Sequence, residues 1–234
     1  MMVLVGRVAQ LAEPSSYTRL VAGSSPAAST SYLNFRRANQ LNKLLYTRLV
    51  AGSSPAGRTM IIVFTGNGKG KTTASLGQMV RVVGREKSAL MIQFIKGPWT
   101  SGEDEFVKKF TFPPATFDIR KMGLGFVGIL GDKLPFETHK AAARKALDMF
   151  VKEKKSNAWH LIVLDEINVA VSLGLLTVQE VLNSMKDFPE EKILILSGRN
   201  APQEFINFAD LATEMREIKH PFQDGKMGSP TVEF

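Results

Sequence analysis

Gly66-Asn67-Gly68-Lys69-Gly70-Lys71-Thr72-Thr73 decides the fold of this chain. It follows the apolar run Met60-Ile61-Ile62-Val63-Phe64 and opens a helix-like stretch, Ala74 to Val83. Strand, glycine-rich turn, Gly-Lys-Thr and helix is the layout of a triphosphate-binding P-loop. Glycines let the backbone curl until successive N–H groups face phosphate oxygens. The helix start adds a positive dipole end. Lys71 brings a point charge, and Thr72 a hydroxyl suited to Mg²⁺. Gly66, Asn67, Gly68, Lys69, Gly70 and Thr73 complete the predicted nucleotide cradle. The loop departs from the general pattern: counting back from Gly70-Lys71-Thr72, Thr65 stands where the first glycine is usual. It binds a nucleotide, but not in the ordinary way.

Outward from the loop, residues 60–234 alternate between two periodicities. Apolar β-rich runs are Met60–Phe64, Ala89–Phe94, Thr116–Ile119, Leu161–Leu164, Ile193–Leu196 and Glu214–Ile218. Helical patterns lie between them at Thr72–Val83, Asp104–Phe110, Phe136–Lys154, Thr177–Met185 and Pro202–Phe208. Ser101 and Thr177 are predicted N-caps. Strands apolar on both faces predict an α/β fold of the P-loop NTPase (RecA-like) type, a mostly parallel sheet with helices on both faces. Ligands then sit at the carboxyl ends of the strands.

Four segments carry candidate chemistry. Leu161-Ile162-Val163-Leu164 ends in Asp165-Glu166, as a Walker B strand does when it delivers carboxylates to Mg²⁺ beside the P-loop. Lys96, Trp99 and Glu103 follow the second strand and reach the crevice, or else Trp99 covers the sheet edge and Glu103 caps a helix. Arg199, in Ser197-Gly198-Arg199-Asn200, reaches phosphate or pairs with a surface acid. The glycine-rich loop 123–131 presents Phe126, Ile129 and Leu130, either to a large flat ligand or to the core. His139, His160 and His220 lack metal-ligand spacing and read as ordinary structural or surface histidines.

Composition bounds the rest. The 234 residues include no cysteine, so disulfides, thiolate metal sites and cysteine nucleophiles are excluded. No apolar run is long enough to span a membrane, and the start is a poor secretory signal; a cytoplasmic protein without a membrane partner is the expectation. The formal charge is +8, but residues 1–59 hold seven Lys/Arg against Glu13, and residues 60–234 hold 23 Lys/Arg against 21 acids. The basicity that would favour a nucleic-acid partner therefore lies mostly outside the P-loop region.

Residues 1–59 are set apart in another way. Tyr-Thr-Arg-Leu-Val-Ala-Gly-Ser-Ser-Pro-Ala occurs at 17–27 and, unchanged, at 46–56. Two perfect copies rich in Gly, Ser and Pro offer no face to bury, unlike a structural repeat. Gly-Ser-Ser-Pro-Ala back-translates to a string resembling the T-arm of a tRNA gene, and Arg7–Glu13 to one resembling a D-arm. The expectation is that 1–59 is a non-native extension translated from tRNA genes, with Met60 the initiator. A disordered basic arm is the alternative.

Together the segments resemble the P-loop type of ATP:corrinoid adenosyltransferase. The pieces are GNGKGKTT at 66–73, QFIKGPWTSGE at 93–103, LDEIN at 164–168, SGRNAP at 197–202 and TEMREIKHPFQDGKMG at 213–228. The resemblance spans 60–234 and none of 1–59, which do not resemble the N-terminal helix that covers the site in relatives. It implies attack of cobalt(I) of a reduced corrinoid on C5′ of ATP, with triphosphate leaving. It implies ATP bound in reverse of the usual P-loop orientation, which suits the irregular loop. Lys71, Thr72 and Glu166 become the catalytic set, with Mg²⁺ (or Mn²⁺) on Thr72 and Glu166 and Asp165 orienting them. Asn67, Arg81 and Arg199 match nucleotide-contacting positions. Phe126 matches an aromatic that packs on the lower corrin face; the Trp found two residues later in some relatives is Gly128 here. An electron-donating flavoprotein and a homodimer are the partners implied. The rival readings are a P-loop ATPase acting on nucleic acid and a non-catalytic nucleotide-binding module.

Overall fold

The computed structural model describes residues 59–129, 131–220 and 225. The expectations for residues 1–58, for Leu130 and for most of the segment beyond His220 lie outside the described residues.

Alternation along each strand builds the domain. In β1 (Met60–Thr65) Ile61 and Val63 enter one core while Ile62 and Phe64 enter the other. In β4 (Leu161–Asp165) Ile162 and Leu164 oppose Leu161 and Val163 in the same way. A strand buried on both faces must be covered twice, and the helices do this. On one face lie α3 (Phe136–Ser156), α5 (Val178–Met185) and α6 (Gln203–Phe208), bringing Phe150, Val181 and Phe205. On the other lie α1 (Lys71–Val83) and α2 (Gly102–Lys109), bringing Met79, Val82 and Phe106. Each wholly buried Leu, Ile or Phe contributes about 1.5–3 kcal/mol, and a charge at Val163 would forfeit that and add its own desolvation.

The sheet has six strands in the order β3-β2-β4-β5-β1-β6, with every neighbouring pair parallel. The remaining strands are β2 (Ala89–Gln93), β3 (Phe117–Lys121), β5 (Ile193–Ser197) and β6 (Leu211–Glu214). All strands ending in one direction puts the ends of β1, β2, β4 and β5 together at one edge of the domain, where the loop of 66–73, Gln93, Asp165 and Ser197 meet.

Both expected caps form, each with the carboxylate three residues on reaching back to the cap. Ser101 N and Oγ donate to Asp104 Oδ2, at 2.6 and 2.8 Å. Thr177 Oγ1 accepts from Glu180 N at 3.2 Å while Thr177 N donates to Glu180 Oε2 at 2.7 Å. The sixth strand differs from expectation: it covers Leu211–Glu214, not Glu214–Ile218. It is an exposed edge strand held by backbone bonds to β1 and by Asp210 Oδ2 accepting from Ile61 N at 2.9 Å, so no apolar pattern marks it. One short helix was not expected, α4 (Ile167–Ser172); its Ile, Val and Ala leave no amphipathic period to detect.

Candidate active site

The phosphate loop is shaped by its own lysine and by a neighbouring segment. Gly66 and Gly70 have φ of +91° and +115°, which side chains resist, and Gly70 caps α1. Lys71 Nζ donates to the carbonyls of Gly66 and Gly68, both at 2.7 Å, and so clamps the curl from inside. From outside, Gly68 N donates to Met215 O at 2.6 Å. A Cβ on Gly66 would lie 2.4 Å from Met215 O, and one on Gly68 would lie 2.7 Å from Arg216 O. These glycines serve a close approach as well as a turn. Burial draws the Lys71 ammonium below its ordinary value, and Glu166 partly counters it.

Behind the loop, Asp165 is wholly buried and answers three donors. Ser197 Oγ reaches Oδ1 at 2.6 Å, Thr72 Oγ1 reaches Oδ1 at 3.0 Å, and Gln93 Nε2 reaches Oδ2 at 3.0 Å. One carboxylate thus ties the ends of β2, β4 and β5 to the first turn of α1. Asn168 adds a second staple, donating to Phe64 O at 3.3 Å and Gly198 O at 3.0 Å. Neither Gln93 nor Asn168 was assigned a role from sequence; an amide at a strand end gives no signal until the strands are seen to converge.

Glu166 turns out of the strand with φ +63° and ψ +20°, in the left-handed region, and so points away from Asp165 into the cavity. Burial, and next the Asp165 carboxylate, push its carboxyl up to about 7; Lys71, Lys96 and Arg199 act against that rise. Lys96 pairs with Glu103 at 2.7 Å. Burial works against the Lys96 charge, but Asp165, Glu103 and Glu166 together raise it.

The cavity in front of these groups has a volume of about 770 Å³. Its polar wall is the loop from Asn67 to Thr73, with Lys96, Glu103, Glu166 and Arg199; its apolar wall includes Leu76, Phe106 and Phe126. Gly66 and Asp165 stand behind this surface. Arg81 is not brought to it: Val80 lines the cavity, and Arg81, one step round the helix, is exposed in the last turn of α1. The open alternatives for Lys96 and Glu103 resolve toward the crevice, which both residues line, although Glu103 also lies in the first turn of α2. His220, expected to be ordinary, stands at the cavity wall. His139 is a buried structural histidine, 3.0 Å from Asp132 Oδ2. That aspartate also accepts from Gly128 N at 2.8 Å and Leu134 N at 3.0 Å, and these two N–H groups hold its carboxyl below the ordinary range. The Phe126 loop is anchored in this way, and a Cβ on Gly128 would meet nothing within 4 Å.

A phosphate cradle, a fixed hydroxyl, a desolvated carboxylate and four cations (Lys69, Lys71, Lys96 and Arg199) in one cavity can bind a nucleoside triphosphate and stabilise charge on its phosphates. Comparison with known proteins agrees. A family model described as ATP:corrinoid adenosyltransferase BtuR/CobO/CobP matches residues 57–234. A corrinoid adenosyltransferase of Escherichia coli K12 is 33% identical over 175 residues, covering 75% of this chain and 85% of that protein. One from a Sinorhizobium species is 36% identical over 177 residues, covering 75% and 80%. The corrinoid adenosyltransferase CobA of Salmonella typhimurium is 32% identical over 180 residues, covering 75% and 85%. On this evidence the chain belongs to the ATP:corrinoid adenosyltransferase family.

Proposed function

We propose that the protein transfers the 5′-deoxyadenosyl group of ATP to cobalt(I) of a reduced corrinoid, in the biosynthesis or salvage of adenosylcobalamin. One observation carries this beyond nucleotide binding. The cavity that holds the phosphate loop is also lined by the half-exposed ring of Phe126, so an apolar second substrate has a surface beside the nucleotide.

In the reaction the cobalt(I) electron pair forms a Co–C bond to C5′, and the C5′–O bond breaks with its pair leaving on triphosphate. Cobalt(I) carries no proton, so no general base is required. The work left to the protein is orientation and charge stabilisation. Lys71, Lys69 and the N–H groups of the loop face the triphosphate as its charge grows. Asn67 and Arg199 line the same cavity and hold the nucleotide. Asp165 keeps the Thr72 hydroxyl in place through the 3.0 Å bond.

A divalent cation fits this donor set. Thr72 and Glu166 offer hard oxygen ligands, with Asp165 behind them, and burial with the neighbouring Asp165 charge pushes the Glu166 carboxyl up to about 7, a rise that a bound cation would oppose. Among the described residues no cluster of three or more acids or histidines forms a closed metal site, which leaves room for phosphate oxygens and water, as Mg²⁺ prefers. When bound, Mg²⁺ (or Mn²⁺) would supply charge to the departing triphosphate. The same reading includes an electron-donating flavoprotein as reductant, a homodimer and a cytoplasmic location; no described helix is long and apolar enough to cross a membrane.

The test mixes protein, Mg-ATP and chemically reduced cobalamin, then follows the corrinoid spectrum and the phosphate products. Triphosphate with a new Co–C band is the expected result. ADP and phosphate with an unchanged corrinoid would refute the proposal.

A further inference from the structure

Two cavities meet at the carboxyl edge of the sheet. The second, about 710 Å³, is lined by Ile95, Gly97, Trp99, Gly125 and Phe126. It shares Lys96, Phe126 and Glu166 with the nucleotide cavity, so these three residues mark the junction. The phosphate loop itself lies entirely on the first side.

Trp99 dominates the second wall. The residue is 60% exposed, a large apolar side chain to leave in water, yet it is not loosely placed. One side of the indole lies against backbone, where a Cβ on either Gly97 or Gly125 would come within 2.6 Å of the ring. Its centroid is 5.8 Å from that of Phe126, at a tilt of 39°. The Trp99 carbonyl accepts from Lys121 Nζ, and the same ammonium pairs with Asp104, which caps α2 through Ser101. The two loops are laced together as well, Gly125 N donating to Ile95 O at 2.9 Å. Sequence that spends two glycines on seating one indole, and then leaves its outer face bare, presents that face to something flat and apolar.

We propose that Trp99 is a binding residue for the second substrate: its exposed face and the Phe126 ring form the wall on which the corrin macrocycle packs, next to the Lys96–Glu166 junction. This rests on the function proposed above. A rigid aromatic pair gains contact with a planar partner at little entropic cost, because neither ring has to be ordered on binding.

Trp99→Ala and Trp99→Phe, made in the full chain, test it through separate kinetics for each substrate. Trp99→Ala should raise the KM for reduced cobalamin at least about tenfold and leave the KM for ATP within about twofold, with Trp99→Phe restoring most of the loss. Gly97→Ala, which displaces the ring without removing it, should move the same constant in the same direction. An unchanged cobalamin KM in Trp99→Ala overturns the proposal, and so does an equal loss of ATP affinity. If the unaltered protein transfers no adenosyl group, the function proposed above fails by itself. Titration with hydroxocobalamin then decides Trp99, and equal affinity in the unaltered protein and Trp99→Ala would overturn its role.

Discussion

Replacing Glu166 by Gln should stabilise the protein while disabling it. In the nucleotide-free protein the Glu166 carboxyl is held at about 7 against an ordinary 4.5, first by burial and then by Asp165. The sign follows from proton linkage: between those values the folded state keeps a proton that the unfolded state has released. Folding is therefore penalised as pH rises through this window, and the penalty is complete above about 7. At 1.36 kcal/mol for each pH unit of displacement, the ionised carboxylate costs about 3 kcal/mol. Screening by water at the cavity side reduces the expected gain from Gln to about 2 kcal/mol, or roughly 4–8 °C in Tm for a domain of this size. The assay is thermal unfolding of metal-free protein at pH 8 and at pH 4.5, with and without Mg-ATP. Glu166→Gln should melt higher at pH 8 and together with the unaltered protein at pH 4.5. Saturating Mg-ATP should stabilise the unaltered protein more than the variant, because only the carboxylate gains from the cation. A gain that does not change with pH, or a variant less stable at pH 8, would refute the reasoning.

Asp165→Ala should cost about 3 kcal/mol in urea unfolding, since Ser197, Thr72 and Gln93 all lose their acceptor in a buried place. Gly68→Ala should weaken ATP binding by roughly tenfold in equilibrium titration, because its methyl must push Arg216 away or open the loop. Deleting residues 2–59 should leave Tm within about 2 °C and adenosyl transfer intact, because the core residues described, from Ile61 to Phe205, pack on one another from both faces of the sheet; loss of either property would show the segment to be part of the working enzyme.

The parallel sheet was legible because its four central strands, β2, β4, β5 and β1, are buried on both faces. Runs such as Leu161-Ile162-Val163-Leu164 can scarcely be anything else once they recur at α/β spacing. The phosphate loop was legible because its chemistry is local: glycines, lysine and threonine are consecutive. What could not be read was convergence. Gln93, Asn168 and Ser197 are unremarkable polar residues in the chain, and they matter only because parallel strands end at one place. Glu166 and Asp165 are adjacent in sequence but opposite in role, and the left-handed backbone at Glu166 separates them. Arg81, which the resemblance matches to a nucleotide-contacting position, lies exposed in the last turn of α1 and does not line the cavity. Trp99 was ambiguous until Gly97 and Gly125 were seen beneath it. The edge strand β6 was misplaced because backbone bonds, rather than apolar pattern, hold it.

The bond from Gly68 N to Met215 O has a consequence that reaches beyond local geometry. The residue following β6 is bonded directly to the backbone of the phosphate loop. Whatever steadies the phosphate loop then steadies the end of the sheet by the same free energy, and the exchange is reciprocal. Occupancy of the loop should be measurable as slowed hydrogen exchange at Met215, whose amide donates to Thr65 at 2.8 Å. Loosening of the carboxyl-terminal segment should be felt in turn as weaker ATP affinity.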